Sequence, residues 1–517
     1  MTVRSPRESR RMPRVSAHTP PARSAVRPAA RRTPESSLAR FVHSLTAEMD
    51  ARALLDYTMI RTVVLVLTGL GVIMVMSSSM ATSFAASSSV WSQAIRQSMM
   101  VLIGLVAFWV ALKTPPAIIR RLSGLMMLGA IGLLIAVLIP GVGTGRAEVG
   151  SQSWIVVGPL RLQPSEVARI AIAIWGAHVL AGRDPRYLFR PKNGFFGFLL
   201  VAALCICLIA AQGDLGMAVS FAIVVAFILL FAGVSWKPIG FAAIAGAAVM
   251  AAQFAAGGFR SNRFLVYFDA LFGKFEDTRG VAFQSHQGFL SLADGSVFGV
   301  GLGQSRAKWF YLPEARNDFI FAVIGEELGL WGGALVITLF ALLGFFGLRT
   351  ARRAHNQFQA LMAAALTAGL VSQAFINIGY VVGILPVTGI QLPLLSAGGT
   401  SAIITLSAMG VLASVARHEP EAVSAMQNRG RPTFDRIFGI SEPRTPAQER
   451  ERAPRVAQPS RWASRAPRAV STSEREQRFG TRVSVSGSSR ADSARRLERT
   501  RYDDPRRSTR SGYRRAG

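Results

Sequence analysis

The feature that most constrains this chain is the gathering of its apolar residues into about ten runs of roughly membrane-spanning length. A helix needs ~20 mainly apolar residues to cross a bilayer, because in lipid every backbone N–H and C=O must be satisfied within its own segment. Such runs cover approximately residues 60–79, 98–112, 122–140, 167–181, 195–211, 215–232, 238–256, 319–348, 358–385 and 400–416. The expected fold is therefore an all-α polytopic membrane protein of about ten transmembrane helices, with a large extracellular loop between spans seven and eight. The fourth run is short and begins with ionisable groups.

The formal charge of +29 over 517 residues first suggests nucleic acid, but its distribution argues otherwise. Residues 1–56 hold 11 Arg against 5 acids and residues 417–517 hold 24 Arg against 12, so the tails carry 18 of the 29 net charges. Both tails are rich in Arg, Pro, Ser and Ala and lack aliphatic periodicity, which predicts disordered segments lying against anionic lipid. No folded basic module accompanies the charge, so nucleic-acid binding is not expected. The expected domains are thus a basic tail over 1–56, a membrane domain over 57–416 and a second basic tail over 417–517. Cys205 and Cys207 lie inside an apolar run and offer neither disulfide framework nor metal spacing. The polar start of the chain gives no cleavable signal peptide, so the first span is expected to direct insertion.

Lys and Arg accumulate in cytoplasmic loops of membrane proteins. Alternate loops hold Lys113, Arg120 and Arg121, then Arg183, Arg186, Arg190 and Lys192, then Lys237, then Arg349, Arg352 and Arg353. With an even number of spans, both tails are expected in the cytoplasm, and segments 141–163, 212–214, 257–317 and 386–399 outside.

Ionisable groups at membrane depth are costly and mark functional candidates. All four sets that stand out belong to the outer side. Trp154 precedes a segment from Arg161 through Gln163 and Glu166 to Arg169, in which Pro164 suits a first helical turn and Glu166 the positive helix end. Glu166 and Arg169, three apart, can pair on one face; a capped helix with an interfacial aromatic is the plainer reading. Asp214, in the tight reversal Gln212-Gly-Asp-Leu-Gly216, can cap the next helix or face a cavity.

The third set begins with glycines at 299, 301 and 303, followed by Arg306 and Lys308, then Glu314, Asn317 and Asp318, and then Glu326 and Glu327. The glycines permit tight turns and close backbone approach; without a βαβ unit they make no dinucleotide site. Cations beside carboxylates suit a reaction in which a hydroxyl loses a proton while a diphosphate departs. Capping of the eighth span is the plain alternative for Asp318, a role that Asn317 can also serve. Glu326 and Glu327 lie two turns deeper and need partners from other helices. The fourth set, from Gly383 through Pro386, Gly389, Pro393 and Ser396 to Gly398 and Gly399, has too many prolines and glycines for a regular helix. Irregular backbone is tolerated in membranes only where protein covers it or it lines a cavity.

Taken in order, the strings Gln-Pro-Ser-Glu (163–166), Gln-Gly-Asp-Leu-Gly (212–216), Pro-Glu-Ala-Arg-Asn-Asp-Phe-Ile-Phe (313–321), Gly-Glu-Glu-Leu-Gly (325–329) and the segment 385–401 resemble the SEDS family of cell-shape, division and sporulation proteins. The resemblance spans about 60–416. It leans toward the division branch, and the Ser-Ala-Gly-Gly-Thr-Ser ending looks like an actinobacterial form. Five lysines among 58 basic residues fit a GC-rich genome. Departures include Arg169 where lysine is usual, Gly213 where many relatives have proline, and Arg316-Asn317 before the aspartate.

The resemblance implies a ten-span glycosyltransferase of the bacterial plasma membrane, enriched at the division septum, that polymerises lipid II on the outer face. It implies Asp318 as the essential carboxylate and Arg161, Glu166 and Arg169 lining a cavity. The partners it implies are a class B penicillin-binding transpeptidase and other division proteins. Trp154, Gln163, Asp214, Arg306, Lys308, Glu314 and Ser396 are the further expected substrate contacts. Glu326, Glu327, Pro386, Gly398 and Gly399 are expected to shape the cavity. A divalent cation, Mg or Mn, is a possible cofactor without identified ligands. A lipid II flippase and a division scaffold are the rival readings.

Overall fold

The structure, a computed structural model, describes residues 48–87, 89–146, 150–158, 160–255, 281–306, 312 and 314–443. A helix stands at each of the ten expected positions: α1 (Leu55–Ser87), α2 (Ser92–Lys113), α3 (Pro116–Ala136), α4 (Pro164–Leu180), α5 (Gly194–Ala211), α6 (Leu215–Phe231), α7 (Trp236–Ala255), α9 (Ile320–Arg353), α10 (Gln357–Val381) and α11 (Gly399–Arg417). An additional helix, α8 (Val281–Gly295), lies in the loop before α9. Seven of the ten are long and apolar enough to cross a membrane. The short α4 is enclosed by its neighbours, with buried residues on every turn. The chain is a multi-pass, mainly helical membrane protein.

Small residues set the closest helix crossing, where α11 lies along α2. A Cβ on Gly410 would sit 2.4 Å from the Phe108 carbonyl, so only glycine allows this approach. In α9 the helix breaks at Gly329, whose φ of 67° lies in the left-handed region. The break frees carbonyls that the glycine-rich segment after α8 then occupies. Val300 N–H donates to the Glu326 carbonyl at 2.9 Å and Gly301 N–H to the Glu327 carbonyl at 3.0 Å, while Leu330 N–H donates to Ser296 at 3.0 Å. The close backbone approach expected of the glycines at 299 and 301 is thus made to the kinked helix.

The segment before α4, for which the sequence pattern gave no secondary structure, is ordered. It forms a small antiparallel sheet in the order β1 (Gly143–Thr144), β2 (Trp154–Val157) and β3 (Leu160–Leu162). Gly143 pairs with Ile155 and Ile155 with Leu162. Gln152 N–H donates to the Gln212 carbonyl at 2.8 Å, which ties the sheet to the reversal between α5 and α6.

At the end of α9 away from Asp318, charges concentrate into a network. Arg349, buried, binds Asp56 and reaches Asp50 at 2.7 Å. Arg353 contacts Asp50, Glu419 and Glu421. This moves both expected tail boundaries. Asp56 belongs to α1, and residues beyond 417 fold into α12 (Pro420–Arg429) and α13 (Thr433–Ile437). Arg417 Nε donates to Asp435 at 2.8 Å, Tyr57 donates to the same carboxylate at 2.6 Å, and Trp109 Nε1 reaches the Phe438 carbonyl at 2.9 Å. A stretch that looks like basic tail by composition is therefore docked by its few acids. The tail segments 1–47 and 444–517 lie outside the described residues.

Removing one partner of a buried ion pair leaves an uncompensated charge, at a cost of roughly 3–5 kcal/mol. Arg349→Met is expected to lower the melting temperature of the detergent-purified protein sharply, whereas Arg352→Met, with no acid contact within 4.0 Å among the described residues, leaves it near wild type. Glu419 adds a pH dependence. Burial, with Asp56 nearby, pushes it up to about 8 although Arg353 Nε sits 3.3 Å away. An acid whose folded pKa is raised stabilises most below its ordinary value of 4.5, and that contribution is lost as pH rises through about 8. Melting of the wild type should fall between pH 5 and pH 8.5 more steeply than that of Glu419→Gln; parallel curves would contradict this.

Candidate functional site

The break between α10 and α11, the start of α9 and the turns before α4 and α6 enclose a cavity of about 1190 Å³. Asp318 lines it, together with Glu314, Glu166 and Asp214. Three arginines, Arg96, Arg161 and Arg316, line it too. Helix geometry adds to their field. Gln163, Asp214 and Gly398, the N-caps of α4, α6 and α11, are all on the wall, and α9 begins two residues after Asp318. The positive ends of four helices therefore converge here, each equivalent to roughly half an elementary charge. Such a site favours an anion such as a diphosphate.

Glu166, Asp214 and Glu314 are each held by donors. Glu166, buried in the first turn of α4, accepts from Ser401 Oγ at 2.7 Å. Asp214 serves both expected roles. It caps α6 by accepting from Met217 N–H at 3.1 Å, and it accepts from Gln163 Nε2 at 3.0 Å while facing the cavity. Glu314, at φ 55°, accepts from the Asn317 amide. The N-cap position of α9 is neither Asn317 nor Asp318. Phe319 occupies the N-cap position, without a side-chain capping bond.

A model of the cell cycle protein family FtsW/RodA/SpoVE matches residues 57–421. The chain belongs to that family. Its relatives include the probable peptidoglycan glycosyltransferase FtsW of Mycobacterium tuberculosis, 39% identical over 430 residues and 80% of each chain. Stage V sporulation protein E of Bacillus subtilis is 35% identical over 365 residues, covering 69% of this chain and 95% of that protein. Among solved structures, a chain from "Structural coordination of polymerization and crosslinking by a peptidoglycan synthase complex" aligns with TM-score 0.56 at 24% identity, over 70% of this chain and 97% of that one. The rod shape determining protein RodA of Thermus thermophilus aligns with TM-score 0.51 at 23% identity, over 70% and 96%. These two share the fold.

In this FtsW/RodA/SpoVE-family protein the cavity gathers Asp318, Trp154, Arg161, Gln163, Glu166, Asp214, Glu314, Pro386, Gly398 and Gly399 from the expected set. Others lie elsewhere. Arg169 does not pair with Glu166. One turn deeper on α4, it donates to Ser220 at 3.1 Å beside a separate small void, because three residues along a helix carry a side chain away from the mouth. Arg306 is off the wall, and its N–H donates to Glu326 Oε1 at 2.6 Å. Lys308 lies outside the described residues. Ser396 is a brace behind the wall, donating to the Asn317 carbonyl at 2.6 Å and accepting from Leu392 N–H at 2.8 Å.

Glu326 and Glu327 find the partners they need in hydroxyls and N–H groups. Ser305 Oγ donates to Glu326 at 2.7 Å, and Ser77 Oγ of α1 lies 2.6 Å from Glu327. They bind the loop and α1 to the kink rather than face the cavity. Sequence reasoning passed over Arg96, Gln373 and Asn377. A glutamine and an asparagine inside the apolar run of α10 were the available signal for the last two. No three His, Cys, Asp or Glu side chains among the described residues converge to hold a metal ion. The donor set thus gives the expected divalent cation no cage of its own.

Ser401→Ala removes the donor to Glu166 Oε1, and Oε2 is already buried without a hydrogen-bond partner. The loss should destabilise the protein by about 1–3 kcal/mol. Melting in detergent should show a clear drop for Ser401→Ala and a smaller one for Ser401→Thr, and equal melting of all three proteins would contradict the assignment.

Proposed function

We propose that this protein is a peptidoglycan glycosyltransferase that polymerises lipid II, with Asp318 as general base. The observation that carries the reading is a carboxylate on the wall of a cavity that also presents three arginines and the positive ends of four helices. The names of the mycobacterial relatives support the same reaction class. A volume of about 1190 Å³ exceeds the roughly 300–1,000 Å³ typical of small-molecule sites, in keeping with two sugar units and a diphosphate.

In this mechanism Asp318 removes the proton from the acceptor sugar's 4-hydroxyl as that oxygen attacks the anomeric carbon of the donor. The carbon–oxygen bond to the diphosphate breaks, and the electron pair leaves with the diphosphate. Arg96, Arg161, Arg316 and the helix N-termini oppose the charge that develops there. One displacement at an α-linked donor gives a β-linkage, so no covalent enzyme intermediate is needed. The loops with most Lys and Arg lie at the bundle end away from Asp318, which supports a cavity that opens outward with both tails inside. The site then meets substrate on the outer face, at the division septum. A class B penicillin-binding transpeptidase as partner accords with the synthase complex whose chain shares this fold.

General base catalysis is worth roughly 10²–10⁴ in rate. Purified Asp318→Asn, folded and paired with the transpeptidase, should lose polymer formation from labelled lipid II by at least about a hundredfold. Normal polymerisation by that variant would refute the assignment.

A further inference from the structure

The short segment that carries Asp318 is stitched to the rest of the site through three successive carbonyls. Ala397 N–H donates to the Arg316 carbonyl at 2.9 Å, and Ser396 Oγ donates to the Asn317 carbonyl at 2.6 Å. The carbonyl of Asp318 itself meets two side chains of α10, Asn377 Nδ2 and Tyr380 Oη, both at 2.9 Å. The same two groups also meet the Ile390 carbonyl, each at 2.7 Å, and lie 2.6 Å from one another. Asn377 and Tyr380 are three apart on one helix face and are almost fully buried, at 0% and 1% exposure.

Hydrogen counting explains the arrangement. Two amide hydrogens and one phenolic hydrogen serve three acceptors: the two carbonyls and the phenol oxygen. The amide can point only one way, since reversing it would set its oxygen against both carbonyls. Its Oδ1 is buried without a hydrogen-bond partner, so the residue sits here at a cost that packing does not explain. The Tyr380 ring packs edge-on against Phe319, the residue after the aspartate, with centroids 5.8 Å apart.

We propose that Asn377, assisted by Tyr380, is a positioning residue for Asp318. By holding the aspartate's own carbonyl against the broken segment between α10 and α11, the pair fixes the Cα from which the carboxylate reaches into the cavity. This rests on the reading of Asp318 as general base. The two residues are not equivalent. Without the phenol, the two N–H groups of Asn377 still serve both carbonyls. Without the amide, one phenolic hydrogen must serve two carbonyls, and one of them is orphaned.

The test compares Asn377→Leu, Tyr380→Phe, Asp318→Asn and the double variant Asp318→Asn/Asn377→Leu as full-length proteins with the partner transpeptidase and labelled lipid II. Displacement of a reacting group by about 1 Å can reduce rate a hundredfold, so Asn377→Leu is expected to lower kcat by roughly 10- to 100-fold with KM little changed. Tyr380→Phe should lose less. The double variant should retain the residual rate of Asp318→Asn, because a positioning residue has nothing left to position. A folded Asn377→Leu protein with wild-type kcat overturns the proposal, as does a further loss in the double variant. Should Asn377→Leu not fold, Asn377→Ser, which withdraws the amide with a smaller side chain, decides by the same criteria. Full activity of Asp318→Asn would instead overturn the general-base reading itself, so the two failures are distinct.

Discussion

Backbone that leaves helical geometry at membrane depth must find its hydrogen-bond partners within the protein, and that requirement organises the structure around its cavity. Between α10 and α11 the chain runs irregularly through two prolines and several glycines. Its exposed groups are met by side chains: the Ile390 carbonyl by Asn377 and Tyr380, the Gln391 carbonyl by Gln373, and the Leu392 N–H by Ser396. Three of these side chains are polar residues inside the apolar run of α10, where they would otherwise be a liability. Because the approach to α9 is braced by overlapping donors, the bonds that permit the broken segment also place Asp318. Fold and site therefore rest partly on the same hydrogen bonds.

The charges are divided between the two ends of the bundle according to a similar logic. At one end, helix N-termini and arginines share a cavity wall with four carboxylates, so the wall carries both signs. At the other, Arg349 and Arg353 are contacted by acids from two separate parts of the chain, Asp50 and Asp56 before and at the start of α1 and Glu419 and Glu421 at the start of α12. The first arrangement leaves space for an anion among the cations, and the second fills that space with protein. An ion network with its partners built in fits a structural role, whereas positive helix ends around a cavity of about 1190 Å³ fit a binding one.

Helix positions were legible because each apolar run is long enough to be read without knowing its neighbours. The double role of Asp214 was also near the surface of the sequence, since a tight reversal ahead of a span demands a cap. The strands of the small sheet were not legible: β1 and β3 have two and three residues and acquire order through pairing with β2. The docking of residues 420–443 was hidden because composition averages over a tail, whereas a single buried Asp435 bound to Arg417 and Tyr57 is enough to anchor it. Asn377 escaped notice for a related reason. Its significance lies in the carbonyl of a residue 59 positions earlier, which only the tertiary structure brings to it.

The cations show how sequence proximity and spatial proximity part company. Arg306 follows the glycine-rich segment and precedes Asp318 by only 12 residues, which made it a natural counterion for a leaving diphosphate. The kink at Gly329 changes its position. Free carbonyls at Glu326 and Glu327 draw the segment onto α9, and the Glu326 carboxylate then captures Ser305 Oγ and the Arg306 N–H. The glycine-rich segment is thus consumed in repairing a broken helix, and the wall receives its positive charge from Arg96, Arg161 and Arg316. Arg161 arrives on β3, whose position depends on Thr400 Oγ1 donating to the Arg161 carbonyl at 2.5 Å. That contact links the small sheet to the first turn of α11, next to the glycines that end the broken segment. The backbone constraint that places the carboxylate thus reaches, through one further hydrogen bond, to one of the arginines that line the same cavity.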